Sequence, residues 1–367
     1  MKKQIKIKVV DRSNRRKTNK QSTFLETNFT TFIDVIMEIL RANYDVEEDS
    51  RDPDYVFCLL PVGNAKGYEY FEYRDKVLCQ IILENARPDF NCFDYAIGCF
   101  HNFSYGNHYC YLPGALCSTD QPREAYSKVL TKHHEIDPDL ARRAFCSFVV
   151  SNGVNAASER ETIFHVLNGY KKVDSGGAFL NNVGGRVADR VSFESGHKFS
   201  IAFENAFQSM ITEKLDMAFA ARTVPIYWGN TDVLDVYNEG SFINCHDYPD
   251  FNAVLEEVIR LDKDPDAYLK YLATPAYRNP KSKEKWYAEL EAFLINMIET
   301  PKEKAIIRTD TYWSNILQNM RYEAFKRYYD NKNRNARIRK TLGAAFRPFT
   351  QTALAKSVKR KFDERVY

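Results

Sequence analysis

The chain has 367 residues, of which 44% are hydrophobic, and this is enough apolar material for two domains of ordinary size. Its formal net charge of +3 conceals an uneven distribution, because residues 326–365 carry 13 Lys and Arg side chains against three acidic ones. The rest of the chain therefore has a net charge of −7, which argues against a globular domain with the basic face that nucleic-acid binding needs.

The cysteines and histidines give no sign of a disulfide framework or of a metal site. The eight cysteines contain no Cys-x-x-Cys pair, and most lie in apolar runs, which indicates reduced core residues. The adjacent His133 and His134 have only Glu135 beside them as a further ligand type. We therefore predict that no metal is bound.

The first strand and helix are predicted from the pattern of apolar residues. The basic start of the chain is followed by an apolar run that Lys6 and Lys8 interrupt, too short for a signal peptide or a spanning helix. We therefore expect the protein to stay in the cytoplasm. Ile5, Ile7 and Val9 alternate as in a β-strand. Residues 28–31 offer caps for a helix, in which Phe32, Ile36 and Leu40 follow at helical spacing.

Two buried strands are predicted next, at residues 55–61 and 76–84. The second runs into the octet ENARPDFN at 84–91, and ligands of open α/β sheets bind at the carboxyl ends of strands. The octet supplies these candidate ligand-binding residues: Glu84, Asn85, Arg87, Asp89 and Asn91.

Residues 101–140 form a stretch rich in Tyr, His and Pro, which we predict to be irregular. Aromatic loops suit a carbohydrate, because the C–H faces of sugars stack on rings. A buried loop with hydrogen-bonded tyrosine hydroxyls fits the same composition equally well.

A domain boundary is predicted at residues 140–144, before a strand at 145–151 that opens a second domain. Asn152-Gly153 turns this strand toward a helix that starts near Ser158 and Arg160. From the residues alone, Arg160 is an exposed helical arginine. Farther on, two glycine pairs at 176–177 and 184–185 indicate a turn, and give only weak support for a phosphate cradle.

Residues 197–230 are the centre of the sequence, with the pattern strand, polar loop, helix, strand. A buried strand at 198–203 delivers Glu204 and Asn205, Thr212 can cap a helix that starts at Glu213-Lys214, and a second strand follows at 224–228. This order implies a parallel pair with a right-handed crossover.

The start of this helix suits a nucleotide. Its free N–H groups and positive dipole end, with Lys214 beside them, favour binding of a diphosphate. Glu213 is placed to accept hydrogen bonds from ribose hydroxyls, and Asn205 is placed to reach either the diphosphate or the ribose. A capping Thr212 followed by a solvated Glu-Lys pair is the alternative interpretation of the same spacing.

The runs FEN at 203–205, TEK at 212–214 and VPIYWG at 224–229 resemble the donor-site signature of the α-1,3-fucosyltransferases, glycosyltransferase family 10. Further matches extend from about residue 84 to residue 268. The resemblance implies GDP-fucose as the donor, and places at the pyrophosphate an arginine whose planar fork of five donors suits that role. It assigns these residues to the donor site: Arg160, Glu204, Asn205, Thr212, Glu213 and Lys214.

The octet and the residues up to Gly98 also resemble the acceptor-domain motif of this family, in which a carboxylate beyond the strand is the proposed general base. The Glu-Ser-Pro of the family corresponds here to residues 86–88, Ala-Arg-Pro, so that the usual base has no counterpart. We assign the role to Glu84, with Asp89 and Asp94 as competitors. The structural alternative for Glu84 is a strand-end carboxylate bonded to backbone N–H groups.

The C-terminal part of the chain contains a predicted strand at 241–244 and amphipathic helices at 252–261, 282–299 and 311–329. We expect the last of these to return across both domains. The tail from residue 336 mixes Arg and Lys with apolar side chains, which suits an anionic membrane surface, as in the basic tails of bacterial family members. A solvated tail and RNA binding are the alternatives.

The sequence thus predicts an α/β protein of GT-B architecture, with two Rossmann-like domains facing across a cleft. Residues 1–143 would bind the acceptor, 144–310 would bind GDP-fucose, 311–335 would form the returning helix, and 336–367 the basic amphipathic tail. The resemblance implies inverting transfer of fucose to a GlcNAc or glucose hydroxyl of a lacto- or lactosamine-type glycan, with no obligatory metal or cofactor.

Such a reaction belongs to lipopolysaccharide or other glycan biosynthesis, or to protein glycosylation, and we expect no nucleic-acid partner. The protein would work in the cytoplasm, or as a peripheral protein on the inner face of the membrane. Two alternatives remain open: an inverting transferase for another nucleotide sugar, and a catalytically silent module that binds glycans or membranes.

Overall fold

The computed structural model describes residues 2–10, 24–59, 69–130, 137–153, 156–208 and 210–308, together with ten single positions between 316 and 334. These residues form two parallel β-sheets with helices packed on them. The predicted α/β fold class is therefore confirmed.

The first sheet contains six strands in the spatial order β2-β1-β3-β4-β5-β6, and neighbouring strands run parallel. A long helix, α1, packs its apolar face on the sheet. The bounds of these elements are β1 Gln4–Val10, α1 Phe24–Asn43, β2 Asp45–Glu48, β3 Tyr55–Leu59, β4 Val77–Ile82, β5 Tyr95–Gly98 and β6 Tyr109–Tyr111.

The predicted apolar face of α1 is confirmed, because Phe32, Ile36 and Leu40 are all completely buried. The predicted helix start at residues 28–31 is wrong, since the helix begins at Phe24 and these residues lie within it. Caps are only one contribution to where a helix begins, and the packing of a long amphipathic face on a sheet outweighs them.

The second sheet contains five parallel strands in the order β11-β10-β9-β7-β8. The chain goes from β7 outward to β8, and then returns to place β9 on the other side of β7. This reversal makes the gap between the carboxyl ends of β7 and β9 a topological switch point, where α/β sheets bind ligands. The strands are β7 Ala144–Phe148, β8 Val173–Ser175, β9 His197–Ile201, β10 Val224–Tyr227 and β11 Ile243–Asn244.

Helices cover both faces of the second sheet and lead back to the first. The remaining helices are α2 Asp120–Leu130, α3 Glu159–Tyr170, α4 Arg190–Glu194, α5 Lys214–Ala220, α6 Phe251–Lys263, α7 Pro265–Ala273, α8 Lys283–Glu299 and α9 Lys302–Ala305. The predicted amphipathic helices at 252–261 and 282–299 correspond to α6 and α8.

The prediction of an irregular segment at 101–140 is wrong over β6 and over α2. Ala125, Tyr126 and Val129 are buried at helical spacing. Tyr126 and Val129 share an apolar cluster with Leu215 and Phe219 of α5. Because this cluster joins an early helix to a helix of the second sheet, α2 ties the two domains together.

The return of the chain to the first domain occurs earlier than predicted. Leu290, Leu294 and Met297 of α8 are completely buried in the core that also contains α1 and the first sheet. The assignment of all of 144–310 to the second domain is therefore corrected, because α8 and the following residues pack on the first. The segment is fixed by Arg308, whose Nε donates to the buried Asp94 at 2.8 Å.

The described positions between 316 and 334 are helical, and the ring of Tyr322 stacks on Phe71 with centroids 4.5 Å apart. The predicted tail at 336–367 and the pair His133-His134 lie outside the described residues. In the part of the chain that the structure describes, no helix is both long and apolar enough to cross a membrane. All eight cysteines are buried free thiols, which confirms them as core residues.

Candidate active site

Glu204, which follows β9, organises the loop that leads to α5. It is completely buried, and its Oε1 accepts the Thr212 N–H at 2.8 Å. Its Oε2 accepts the Thr212 hydroxyl at 2.7 Å and the Lys214 ammonium at 2.9 Å. Gly229 leaves room for this carboxylate, because a Cβ at that position would lie 2.6 Å from Cβ of Glu204, and its φ is +156°. Glu204 thus positions both Thr212 and Lys214.

This arrangement corrects three expectations. Thr212 does not cap α5, because Glu213 occupies the N-cap position and the Thr212 hydroxyl is donated to Glu204. Glu204 has no exposed surface with which to touch a donor, and so it acts through the residues that it holds. Helix α5 has only seven residues, so the positive charge of the site comes from side chains rather than from a helix dipole.

Lys214 and Glu213 present their charges beside this loop. Two protons of the Lys214 ammonium go to Glu204 and to Thr212 Oγ1, at 2.9 and 2.7 Å, which leaves one proton for a ligand. Glu213 approaches Lys214 only to 3.9 Å. Burial alone would raise the pKa of Glu213, but Lys214, Arg190 and Arg160 outweigh it and lower the pKa below its ordinary value. Glu213 is therefore an ionised acceptor.

Arg160 and Asn205 lie on the two sides of the switch point. The guanidinium of Arg160 donates from Nε and Nη2 to the carbonyl oxygen of Phe203, at 3.2 and 2.7 Å. The residue is only 2% exposed, so the interpretation as an exposed helical arginine is wrong. Asn205 accepts the Ala157 N–H at its carbonyl oxygen, at 2.8 Å, and its side chain is exposed. These bonds connect the segment after β7 to the end of β9.

Asp216 anchors α5 to two buried tyrosines. It is buried, and its Oδ1 accepts the hydroxyl of Tyr237 at 2.9 Å and the hydroxyl of Tyr277. Burial raises the pKa of Asp216 to about 7, against the lowering effect of the two tyrosine hydroxyls. Ionisation of this carboxyl group is therefore linked to the packing of the helix that carries Lys214.

Glu84 brings a carboxylate from the first domain to this site. It follows the carboxyl end of β4 and is half-buried. Burial raises its pKa, the nearby Lys214 lowers it, and Glu213 raises it again. The charges of both residues at the start of α5 therefore act on a carboxyl group of the first domain.

Ala86, two residues after Glu84, lies in a partly apolar environment. Ala86 packs against the apolar cluster of Ile82, Ala96 and Tyr109. Its N–H donates to the carbonyl oxygen of Glu84 at 2.6 Å, which closes a tight turn. In this turn Ala86 packs on an apolar cluster, while the half-buried Glu84 is influenced by the charges of Lys214 and Glu213.

The two competing carboxylates have structural roles. Asp94 is completely buried and accepts hydrogen bonds from the Leu78 N–H at 2.9 Å and from Arg308. It is therefore excluded as a base. Asp89 accepts the backbone N–H and the side-chain amide of Asn91, both at 3.2 Å, and so stabilises its own loop. The other polar residues of the octet, Asn85 and Arg87, are exposed.

The aromatic loop contains both a buried tyrosine with a hydrogen-bonded hydroxyl and an exposed one. Tyr109 is buried, and its hydroxyl accepts the Phe100 N–H at 3.0 Å and donates to the Phe100 carbonyl oxygen at 3.1 Å. Tyr105 is 48% exposed and stacks on Phe90 with ring centroids 4.2 Å apart. Tyr105 thus leaves part of an aromatic surface open beside the octet.

Two residues of the site were missed by the sequence analysis. Gly114 of the first domain touches the donor loop so closely that a Cβ there would lie 2.9 Å from the carbonyl oxygen of Ile211. Arg190, at the start of α4, acts electrostatically on Glu213, Glu204 and Arg160. The sequence signal that could have identified Arg190 is its spacing of four residues from Glu194, which suits an ion pair on a helix. Such pairs are common on exposed helices, so the spacing alone does not indicate a binding site.

No group of three His, Cys, Asp or Glu side chains converges as metal ligands within the described residues. The cations near the loop are instead Arg160, Arg190 and Lys214. Two α/β domains, each built on a parallel sheet, are typical of the GT-B class of architecture. A solved α1,3-fucosyltransferase shares the fold, with a TM-score of 0.63 and 24% identity over 84% of this chain and 92% of that one.

Two family models match the sequence. One, described as the N-terminal domain of the α-(1,3)-fucosyltransferase FucT, matches residues 22–118. The other, described as glycosyltransferase family 10 (fucosyltransferase) C-term, matches residues 140–306. Together they span more than two thirds of the sequence. The chain belongs to glycosyltransferase family 10, the fucosyltransferase family.

Curated relatives agree with this placement. The α-(1,3)-fucosyltransferase FucT of Helicobacter pylori is 29% identical over 280 residues, which cover 67% of this chain and 56% of the relative. An α-(1,4)-fucosyltransferase of Arabidopsis thaliana is 39% identical over 80 residues, 22% of this chain and 20% of the relative. The chain thus spans about half the length of the bacterial relative. An α1,3-fucosyltransferase structure with GDP-fucose is 25% identical, with a TM-score of 0.60, over 82% of this chain and 93% of that one.

Proposed function

We propose that the protein is an α-1,3-fucosyltransferase that moves fucose from GDP-fucose to a GlcNAc or glucose hydroxyl of a glycan. The observation that carries this proposal is the close approach of the first domain, at Gly114, to the donor loop at Ile211 and Thr212, which brings Glu84 within the electrostatic influence of Lys214 and Glu213. A transferase needs both groups at one place, because the base that deprotonates the acceptor hydroxyl and the charged side chains that bind the donor must act in the same reaction step. Family membership and the related structure with GDP-fucose support the choice of donor.

The donor would bind at the carboxyl edge of the second sheet. The remaining proton of Lys214 and the Nη1 group of Arg160, which has no partner among the described residues, would contact the diphosphate. Glu213 would accept hydrogen bonds from ribose hydroxyls, and the exposed side chain of Asn205 reaches the same region. Thr212 and Glu204 would act indirectly by holding Lys214.

Chemistry would then proceed by a single displacement. Glu84 accepts the proton of the acceptor hydroxyl while the hydroxyl oxygen attacks the anomeric carbon and the bond from that carbon to GDP breaks, with inversion. The raised pKa of Glu84 suits a general base, because efficient bases have pKa values nearer the working pH. Lys214 and Arg160 stabilise the charge of the departing GDP, so this scheme requires neither a metal ion nor a cofactor.

The acceptor would lie on the first domain, between Glu84 and the exposed ring of Tyr105. A lacto- or lactosamine-type glycan suits this surface, since its sugar rings present C–H faces to aromatic side chains. Such glycans place the reaction in lipopolysaccharide or other glycan biosynthesis. We further propose that the basic tail holds the enzyme, as a cytoplasmic protein, on the inner face of an anionic membrane.

Two measurements test the proposal. Calorimetry with GDP-fucose and GDP-mannose should show preferential binding of GDP-fucose, and incubation with lactose or N-acetyllactosamine should release GDP and give an α-1,3-fucosylated product. Preferential binding and turnover of GDP-mannose would show a transferase for another nucleotide sugar. Binding of glycans without turnover of any nucleotide sugar would show a catalytically silent module.

A further inference from the structure

Arg190 is the first residue of α4, the short helix that precedes β9. Its Nε donates to Glu194 Oε1 at 2.8 Å, and Glu194 in turn accepts the hydroxyl of Ser200, in β9, at 2.9 Å. Because α4 leads back into β9, residues earlier in the helix lie nearer the carboxyl end of that strand. Arg190 is thus one helical turn closer than Glu194 to Glu204 and the switch point.

The two Nη groups of the Arg190 guanidinium are available to bind a ligand. Only Nε is used, in the bond to Glu194, and the two Nη groups have no hydrogen-bond partner among the described residues. Some buried side-chain nitrogen and oxygen atoms of the protein lack a hydrogen-bond partner, but the two Nη atoms of Arg190 are not among them. Because these atoms have no partner among the described residues, they must be accessible to solvent. The side chain is nevertheless only 14% exposed, which keeps it in a fixed position. A fixed guanidinium with open donors is suited to bidentate recognition of phosphate oxygens.

The other two cations of the site are more fully occupied. Lys214 has one proton left after its bonds to Glu204 and Thr212, and Arg160 spends Nε and Nη2 on the Phe203 carbonyl oxygen. Arg190 therefore contributes the largest number of free donors among these three residues.

The charge balance of the site points in the same direction. Burial alone would lower the pKa of Arg190, but Glu194, Glu213 and Glu204 outweigh it and raise the pKa, so the guanidinium is charged and lies within the field of the donor loop. Arg190 offsets part of the negative charge of Glu84, Glu194, Glu204 and Glu213, and so reduces the repulsion that an anionic donor would meet at this site.

We propose that Arg190 is a further diphosphate-binding residue of the donor site, held in place by Glu194. This inference rests on the proposed function, because it needs a nucleoside diphosphate as the ligand. Arg190 would contact the diphosphate through its Nη groups, and its bond to Glu194 would prevent it from turning away when the site is empty.

The test is titration calorimetry of GDP with the full chain and four variants. Arg190→Met removes the cation but leaves Glu194 buried and uncompensated, which destabilises the fold. Arg190→Met/Glu194→Gln removes both charges of the pair, and Arg190→Lys keeps the charge without the fork. The matched control is Arg260→Met, because Arg260 is an exposed arginine paired with Glu257, in the last turn of α6 at the opposite edge of the sheet.

Arg190→Met and the double variant should each bind GDP about 10- to 100-fold more weakly, the loss of one or two charge-assisted hydrogen bonds. Arg190→Lys should fall between them and the parent, and Arg260→Met should bind like the parent. The loss should be smaller with GMP, which lacks the second phosphate. Circular dichroism and thermal unfolding establish that each variant is folded.

A double variant that is folded and binds GDP within twofold of the parent would overturn the inference, since Arg190 would then serve only to neutralise Glu194. The proposed function would stand in that case, because the parent still binds GDP. If the folded parent itself does not bind GDP, the proposed function fails, and the inference fails with it. The two failures are therefore distinguishable in one series of titrations.

Discussion

Lys214→Ala should reduce the stability of the protein as well as its affinity for the donor. In the native structure the Lys214 ammonium lies 2.9 Å from Glu204 Oε2, and the two side chains are 13% and 1% exposed. Removing one partner of a buried ion pair costs about 3 to 5 kcal/mol, because the other charge stays buried without compensation. Thr212 still donates two hydrogen bonds to Glu204, so we expect a cost of about 2 to 3 kcal/mol.

The assay is urea denaturation of the parent, Lys214→Ala, Glu204→Gln and the double variant. The double variant should regain about 1 to 2 kcal/mol relative to Lys214→Ala, since no uncompensated carboxylate remains. Lys172→Ala is the control, because Lys172 pairs with Asp174 at 2.6 Å but is 68% exposed, and exposed pairs contribute little.

Donor binding separates from stability in the same set of proteins. Both variants that lack Lys214 should bind GDP at least 10-fold more weakly, including the double variant in which stability recovers. If Lys214→Ala unfolds at the same urea concentration as the Lys172→Ala control, the buried pair does not hold the donor loop, and our account of Glu204 is wrong.

Glu84→Gln should lower turnover by a factor of about 10² to 10⁴ with GDP affinity unchanged. In the parent, turnover should fall as the pH drops through the raised pKa of Glu84. Near-parental turnover of Glu84→Gln would place the base elsewhere. Ala86→Glu should not rescue this variant in the same assay, because Ala86 packs on an apolar cluster; restored turnover would contradict that placement. The pKa of Asp216 is about 7 in the folded state, above its value in the unfolded chain. As the pH rises from about 4 to about 7, the parent should therefore lose stability relative to Asp216→Asn, by on the order of 1.4 kcal/mol per pH unit in thermal or urea unfolding. Equal pH profiles of the two proteins would refute the assignment. Removal of residues 338–367 should leave an active enzyme with lower affinity for anionic vesicles in co-sedimentation, whereas loss of folding would show that the tail packs on the domains.

The departure at residue 86 from the family pattern has a local explanation in the structure. After β4, Ala86 packs on an apolar cluster, and the carboxylate two residues earlier, Glu84, is under the electrostatic influence of Lys214. The turnover of Glu84→Gln tests its role as the base.

The sequence by itself determined the elements whose signal is local. Periodicity predicts the buried strands and the amphipathic faces of α1, α6 and α8, because each depends on residues close in the chain. The FEN and TEK runs are short motifs and are local in the same sense. Cysteines within apolar runs were recognised as core residues for the same reason. These local signals were sufficient to predict the α/β class and the region of the candidate site.

Only the tertiary structure decided which partners these residues meet. Three features depend on strands and loops that are distant in sequence: the burial of Glu204 and Arg160, the influence of Lys214 on the pKa of Glu84, and the surroundings of Arg190. Arg308 and Asp94 are separated by 214 positions, and no local pattern predicts that α8 leads the chain back to the first domain to form this pair. A side chain's hydrogen bonds and charge are set by the elements packed around it, so roles that depend on long-range contacts can be derived only from the folded chain.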